Sequence, residues 1–198
     1  MSIFLSDPIY NISKGRYLDH WKFFKSVGIF FNKETLLTLY NAFVYPYLTY
    51  CISVWGGTYP SYMDPINKLQ KRAIRIVAGS DRLAHTNSIF TELKLLSLPK
   101  IYVYYVQLFM YRHKKMLLPD VFTMFFERNL DCTGRTTRQS NLLHKIHSNF
   151  LQRSRSIRIT GTNYYNHFYE KISMNVTYCT YKKNLKTYLI LNTIPRLY

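Results

Sequence analysis

The amino-acid sequence predicts a mainly α fold: a helical bundle, then a basic, loop-rich segment, then a C-terminal helix. Three observations carry this. Between Glu34 and Phe126, apolar residues recur at spacings of three and four, the period of a one-sided helix. Gly and Pro separate these periodic stretches from one another. After Asn129 the character changes, and residues 131–198 carry eleven Lys+Arg against two acids.

Residues 1–32 lack a clean period; 11–15 reads as a turn and 16–31 as an aromatic, basic helix. The next helix begins at Glu34, with Leu36, Leu37, Tyr40, Phe43, Val44 and Tyr47 along one side. Pro46 has no N–H and clashes with the preceding turn, so a kink or break is expected there. A second piece runs from Tyr47 to Trp55 and stops at Gly56-Gly57. No charge occurs from Thr35 to Met63, but Thr38, Asn41, Pro46, Thr49 and Ser53 interrupt the run. A span needs about 20 mostly apolar residues, so a buried helix pair is the better reading.

Asp64 is placed as an N-cap, Pro65 at the first helical position and Gly79 as the stop of the next helix. Ile66, Leu69, Ala73, Ile76 and Val77 form its apolar stripe, with Lys68, Lys71, Arg72 and Arg75 off it. A short helix over Thr86–Leu95 turns Ile89, Phe90 and Leu93 inward. Pro99 opens a longer one with Ile101, Tyr105, Leu108 and Phe109 on its core face and Arg112, Lys114 and Lys115 at its end. Pro119-Asp120 starts a helix with Val121, Phe122, Phe125 and Phe126 apolar. Leu36, Tyr40, Leu69, Ile76, Phe90, Leu108 and Phe125 are the expected centre of the core. Residues 131–160 are expected to be loop-rich. Asn175 then caps a last helix whose face is Tyr178, Tyr181, Leu185 and Tyr188, with Lys182, Lys183 and Lys186 off it. The domain reading is an N-terminal segment 1–32, a helical domain 33–130 and a basic region 131–198.

Charge narrows the function. The 198 residues carry 27 Lys+Arg and 10 Asp+Glu, a net +17. That favours a polyanionic partner, nucleic acid before an anionic membrane. The N-terminus lacks a basic stretch before its apolar residues and Asp7 cuts that run short, so a secretory leader is not expected. The expected location is intracellular, nucleus or cytoplasm. Cys51, Cys132 and Cys179 form no paired-cysteine motif and read as buried or free thiols.

Catalytic chemistry finds little support. Two-metal polymerisation needs clustered carboxylates. The six aspartates and four glutamates are isolated in sequence, and none forms a paired-Asp turn. His144 and His147 lack a third ligand, and no GxSxG nucleophile word occurs. No catalytic residue, metal ligand or cofactor is assigned. The basic residues remain. A single charge run is ordinarily a solvated face. Here the charges lie opposite apolar stripes, and Arg135, Arg138, Arg153, Arg155 and Arg158 crowd one region. Tyr and Asn are interleaved with them, as in Asn163-Tyr164-Tyr165-Asn166. Cations bind phosphates and aromatic rings stack on bases. Lys68, Lys71, Arg72, Arg75, the five arginines above, Lys182, Lys183 and Lys186 are therefore the candidate nucleic-acid contacts.

Specific words carry a resemblance. Leu39–Gly56 reads LYNAFVYPYLTYCISVWG and Leu69–Ile76 reads LQKRAIRI. Ala84-His85-Thr86, Thr137-Arg138, Ser156-Ile157-Arg158, Gly161 and Asn166 follow in order, ahead of the Leu185–Leu189 word. This pattern resembles the C-terminal, thumb and post-thumb part of reverse transcriptases from non-long-terminal-repeat retrotransposons of the jockey-like class, over about 34–191. The family's Tyr-x-Thr-Arg word is here Arg135-Thr136-Thr137-Arg138, and its Gly-Pro and Trp-Asn words are Gly161-Thr162 and Tyr165-Asn166. The resemblance implies a helical, thumb-like region that grips RNA, RNA–DNA duplex or DNA through backbone contacts and works with an upstream palm. The palm's paired aspartates are not in this chain, so the fragment itself is expected not to polymerise. Two alternatives stand beside this: a basic membrane-surface protein anchored by 35–63, and a non-functional transposon remnant.

Overall fold

The computed structural model describes residue 26 and residues 30–195. The turn expected at 11–15 and most of the helix expected over 16–31 lie outside them. Among the described residues the chain is mainly α, with ten α-helices and no strand. It divides into two compact units, Met1–Ile101 and Tyr102–Tyr198. The division falls within a helix, whereas the sequence reading set its boundary after residue 130.

In the first unit, α1 (Lys33–Leu39) starts where Asn32 Oδ1 accepts from the Thr35 amide at 2.9 Å. It runs into a π-helical turn, Tyr40–Val44, and then α2 (Tyr45–Thr49). Pro46 therefore does not break the helix. Its missing N–H is absorbed where the turn widens from α to π hydrogen bonding. The break comes later, at Cys51, whose φ of 49° is left-handed, and α3 (Ile52–Trp55) follows. Leu36, Tyr40, Val44, Leu48 and Ile52 are buried, each four residues after the last. Steps of four drift about 40° each on a regular α-helix. The π turn and the Cys51 break take up that drift and keep one stripe inward. Phe43, expected inward, is 40% exposed because the widened turn rotates it out.

Helix α4 spans Pro60–Val77. It starts earlier than expected: Pro60 is at its first position and Asp64 is an exposed residue inside it, not its cap. Both prolines satisfy the local start rule. Burial of Met63 accompanies the earlier start. The buried stripe is Met63, Ile66, Leu69, Gln70, Ala73, Ile74 and Val77, so Ile74 takes the place expected for Ile76, which is half-buried. At the C-terminus the amide of Ser80 donates to Arg75 O at 2.9 Å and that of Gly79 to Ile76 O at 3.1 Å, with Gly79 left-handed at φ 62°. α1 and the π turn pack on α4, as does α5 (Thr86–Glu92).

The α5 stop repeats this geometry with a residue that fits it poorly. Leu95 N donates to Phe90 O at 2.9 Å while Lys94 holds φ at 52°. A side chain in the left-handed region costs roughly 1–2 kcal/mol that glycine avoids. Lys94→Gly is therefore expected to raise stability by about 0.5–1 kcal/mol, net of glycine's greater freedom in the unfolded chain. Urea unfolding with an unchanged slope checks this; a lowered midpoint refutes it.

Gln70 is the polar centre of the first unit and is fully buried. Its Nε2 donates to Tyr40 Oη and to Leu96 O, each at 3.0 Å. Its Oε1 accepts the Leu98 amide at 2.7 Å, at the start of α6 (Leu98–Lys114). One amide thus ties the π turn, the α5–α6 connection and an otherwise unpaired helix-start N–H.

In the second unit, α6 from Tyr102 onward, α9 (Ile157–Phe168) and α10 (Tyr178–Leu191) form the core. The Tyr111 and Tyr181 rings stack at 4.6 Å, and Tyr181 Oη donates to Gln107 Oε1 at 3.1 Å. Tyr102 Oη donates to Thr160 Oγ1 at 3.1 Å, and the Phe168 and Tyr188 rings lie 5.6 Å apart edge-on. Asp120–Phe125 is a 3-10 turn and not the expected α-helix; Val121 is 71% and Phe125 37% exposed, and Phe126 alone of that group is buried. α7 (Asn129–Thr133) and α8 (Leu151–Ser154) are short, and 134–150 is free of helix, as the loop-rich reading expected. α9 was not expected at all. α10 begins at a Thr177 cap, two residues later than the Asn175 expected.

Gly161 sets the spacing inside this unit. A Cβ there would lie 2.9 Å from Met110 Sδ and 3.4 Å from Phe126 Cε1. Met110 is fully buried and has little room to retreat. Gly161→Ala is expected to destabilise by about 1–3 kcal/mol despite alanine's better helix propensity. Thermal unfolding followed at 222 nm decides it; a stabilised variant would show that the contact yields.

Candidate nucleic-acid interface

On α4, Lys68, Lys71, Arg72 and Arg75 fall within about 100° of arc. Its members differ in availability. Lys68 and Arg72 are exposed, Lys71 is half-buried, and no carboxylate pairs with these three among the described residues. Arg75 is half-buried, and its Nε donates to Ala84 O at 2.9 Å. It braces the connection before α5, a structural use that sequence reading did not foresee. Asp64 shares the same side of the helix and subtracts one charge from it.

The arginine-rich stretch of the second unit is less uniform than its sequence. Arg135, Arg138 and Arg153 are exposed. Arg155 is half-buried. Arg158 is half-buried with Nε donating to Phe125 O at 3.1 Å and its guanidinium 5.9 Å from the Phe125 ring centre. The interleaved aromatics are not stacking platforms: Tyr164 and Tyr165 are 1% and 6% exposed, on the inner face of α9. Burial pushes the Tyr165 hydroxyl up to about 12, aided by Tyr169. The tyrosine abundance thus serves this core, where ring area is buried and several hydroxyls keep a hydrogen bond.

Lys182, Lys183 and Lys186 are exposed on α10. The structure joins Lys182 to residues that the sequence assigned only to a helix end. Its ammonium lies 5.4 Å from the Tyr178 ring centre. The Arg112 guanidinium lies 5.4 Å from the same centre, and its Nη2 donates to Tyr178 Oη at 3.1 Å. Tyr111, 5.7 Å from Tyr178, carries the Lys115 ammonium at 6.0 Å. Lys114 sits 5.6 Å from the Tyr169 ring; burial, then the charge of Lys115, lowers its ammonium pKa.

Ring faces and the α6 C-terminal carbonyls hold these cations near each other. The dipole of α6 accounts for Arg112, Lys114 and Lys115. It does not account for Lys182, one turn from the α10 N-terminus, where positive charge is disfavoured and an anion is favoured. The corner gathers these cations over aromatic rings. Sequence carried a signal for it, Tyr178 and Lys182 at helical spacing, but the pairing with α6 is tertiary.

Among the described residues, no group of three His, Cys, Asp or Glu is placed to hold a metal, and no helix is long and apolar enough to cross a membrane. The uncharged stretch 35–63 is divided among α1, the π turn, α2, α3 and the start of α4. Cys51, Cys132 and Cys179 are free and exposed, not buried. In comparisons with known proteins, no family model, no curated protein and no solved structure matches this chain.

Proposed function

We propose that this chain is the C-terminal part of a retrotransposon RNA-directed DNA polymerase, without its catalytic palm, and that it grips RNA or RNA–DNA duplex through sequence-independent backbone contacts. The observation that carries the grip is the convergence of Arg112, Lys115 and Lys182 on the Tyr111–Tyr178 pair. Lys68 and Arg72 on α4 are a second set, in the other unit. The assignment to that polymerase class rests on the sequence words quoted above. Its partners are then the nucleic acid and the upstream palm, and its place is the nucleus or cytoplasm.

The test is a salt titration. Each neutralised phosphate releases condensed counterion, so log affinity falls against log salt with a slope of roughly −0.7 to −0.9 per contact. Four to five acting cations give a slope of about −3 to −4.5. Little difference between unrelated RNA sequences is expected. A flat titration together with flotation on anionic liposomes would replace this reading with the membrane-surface one.

A further inference from the structure

A second feature of the Tyr102–Tyr198 unit is a cavity of about 740 Å³ between the 139–145 segment and α9. Its size falls within the roughly 300–1,000 Å³ of clefts that hold small organic ligands. Its walls are fixed. Asn166 Oδ1 accepts the Leu143 amide at 2.9 Å and its Nδ2 donates to Leu143 O at 2.8 Å. Backbone bonds from His144 N to Glu127 O at 2.7 Å and from Asn129 N to Leu142 O at 2.9 Å hold the other edge.

The lining chemistry is selective. Leu142 and Ile159 supply apolar surface, Gln139 an amide, His144 an imidazole and Lys145 a charge; none of the lining residues is an acid. Asn129 Nδ2 donates to Gln139 O, which fixes its Oδ1 toward His144 Nδ1 at 3.3 Å. His144 therefore donates from Nδ1 to Asn129 Oδ1. On the far wall, burial and then the Lys171 charge lower the His167 pKa, and its Nε2 lies 2.8 Å from Lys171 Nζ. That nitrogen is an acceptor, so His167 is neutral with its proton on Nδ1. Apolar side chains, amides, two imidazoles and one lysine, with no acid among them, match a heterocyclic base joined to a phosphate.

We propose that this cavity takes one unpaired nucleotide of a single-stranded nucleic acid, its base against Leu142 and Ile159 and its phosphate beside Lys145. The proposal rests on the nucleic-acid reading above and adds to it a preference for a base over bare backbone. A paired base is shielded by its partner strand, so duplex binding does not use the cavity.

The experiment compares an oligothymidylate, an abasic deoxyribose-phosphate strand of equal length and a duplex, each binding the full chain at one salt concentration. The wild-type chain is expected to prefer the oligothymidylate to the abasic strand by about tenfold, the size of one base contact. Gln139→Ala combined with His144→Ala is expected to reduce that preference to under about threefold while leaving abasic and duplex affinities unchanged. Unchanged duplex binding shows that the variant is folded, and Gln139→Leu alone provides a milder second case. Equal wild-type affinity for thymidylate and abasic strands overturns the cavity proposal and leaves the backbone grip standing. A preference that both variants retain also overturns it. Absence of binding to all three probes removes the nucleic-acid reading itself, and this proposal with it.

Discussion

Gln70→Ala is expected to lower stability by about 3–5 kcal/mol and to bring the melting transition down by about 10–20 °C. The substitution empties a site with no solvent access. It also strands the Leu98 amide, 2.7 Å from Gln70 Oε1, and the Leu96 carbonyl, 3.0 Å from Nε2. A buried polar group left without a partner costs about 1–3 kcal/mol, more than a made hydrogen bond contributes. Tyr40→Phe removes only the partner at 3.0 Å and is expected to cost about 1 kcal/mol.

Gln70→Glu adds a pH signature. A carboxylate there accepts from Leu98 N but cannot donate to Leu96 O; the protonated acid does both. Burial and the facing carbonyl raise the folded pKa above the unfolded value of about 4.3. The folded state then binds the proton more tightly. The contribution is fully present below about pH 4 and is lost as pH rises through the raised folded value. Melting temperature relative to wild type should climb on acidification from pH 7. Loss of under 1 kcal/mol in Gln70→Ala, or a pH-independent Gln70→Glu deficit, would refute the hub.

Much of the first unit was legible because its signals are local. Ile66, Leu69, Ala73 and Val77 of the α4 stripe, the glycine stop at Gly79 and the Pro99 opening of α6 follow from local signals. The misses have tertiary causes. α9 contains Thr160, Gly161, Thr162, Asn163 and Asn166, all weak helix formers, and it forms because Tyr164, Tyr165 and Phe168 are buried. Its tyrosines look like stacking residues in sequence because nothing local says that they face inward. Gln70 sits within a basic, amphipathic run and reads as surface; only the distant Tyr40, Leu96 and Leu98 make it core. The candidate site divides the same way. Helix-face cations such as Lys68 and Arg72 could be assigned from periodicity. The uses of Arg75 and Arg158 as braces could not, since their acceptors, Ala84 O and Phe125 O, are backbone atoms brought near by folding.

The braces decide which charges to remove. Lys68→Gln with Arg72→Gln takes two exposed cations from α4 and touches neither the buried stripe nor the Arg75–Ala84 bond. Arg112→Gln with Lys182→Gln takes two from the tyrosine corner, at the cost of one exposed hydrogen bond to Tyr178. Each pair is expected to flatten the salt slope of RNA binding by about 1.4 to 1.8. At 0.1 M salt this is a loss of roughly 25- to 60-fold, since two contacts of slope −0.7 to −0.9 span about 1.4 to 1.8 decades between 0.1 M and the 1 M reference. Because the two pairs lie in different units and share no partner, their effects on log affinity should add. The quadruple variant should then bind barely above background, with far-ultraviolet circular dichroism unchanged. Removing Arg75 instead would mix a binding effect with a loosened 81–84 connection, so Arg75→Gln should lower stability as well as affinity. If only the α10 and α6 pair matters, the grip belongs to the tyrosine corner and the α4 face is solvated surface. If neither pair changes the slope, these helices do not carry the phosphate contacts, and the exposed Arg135, Arg138 and Arg153 become the next set to neutralise.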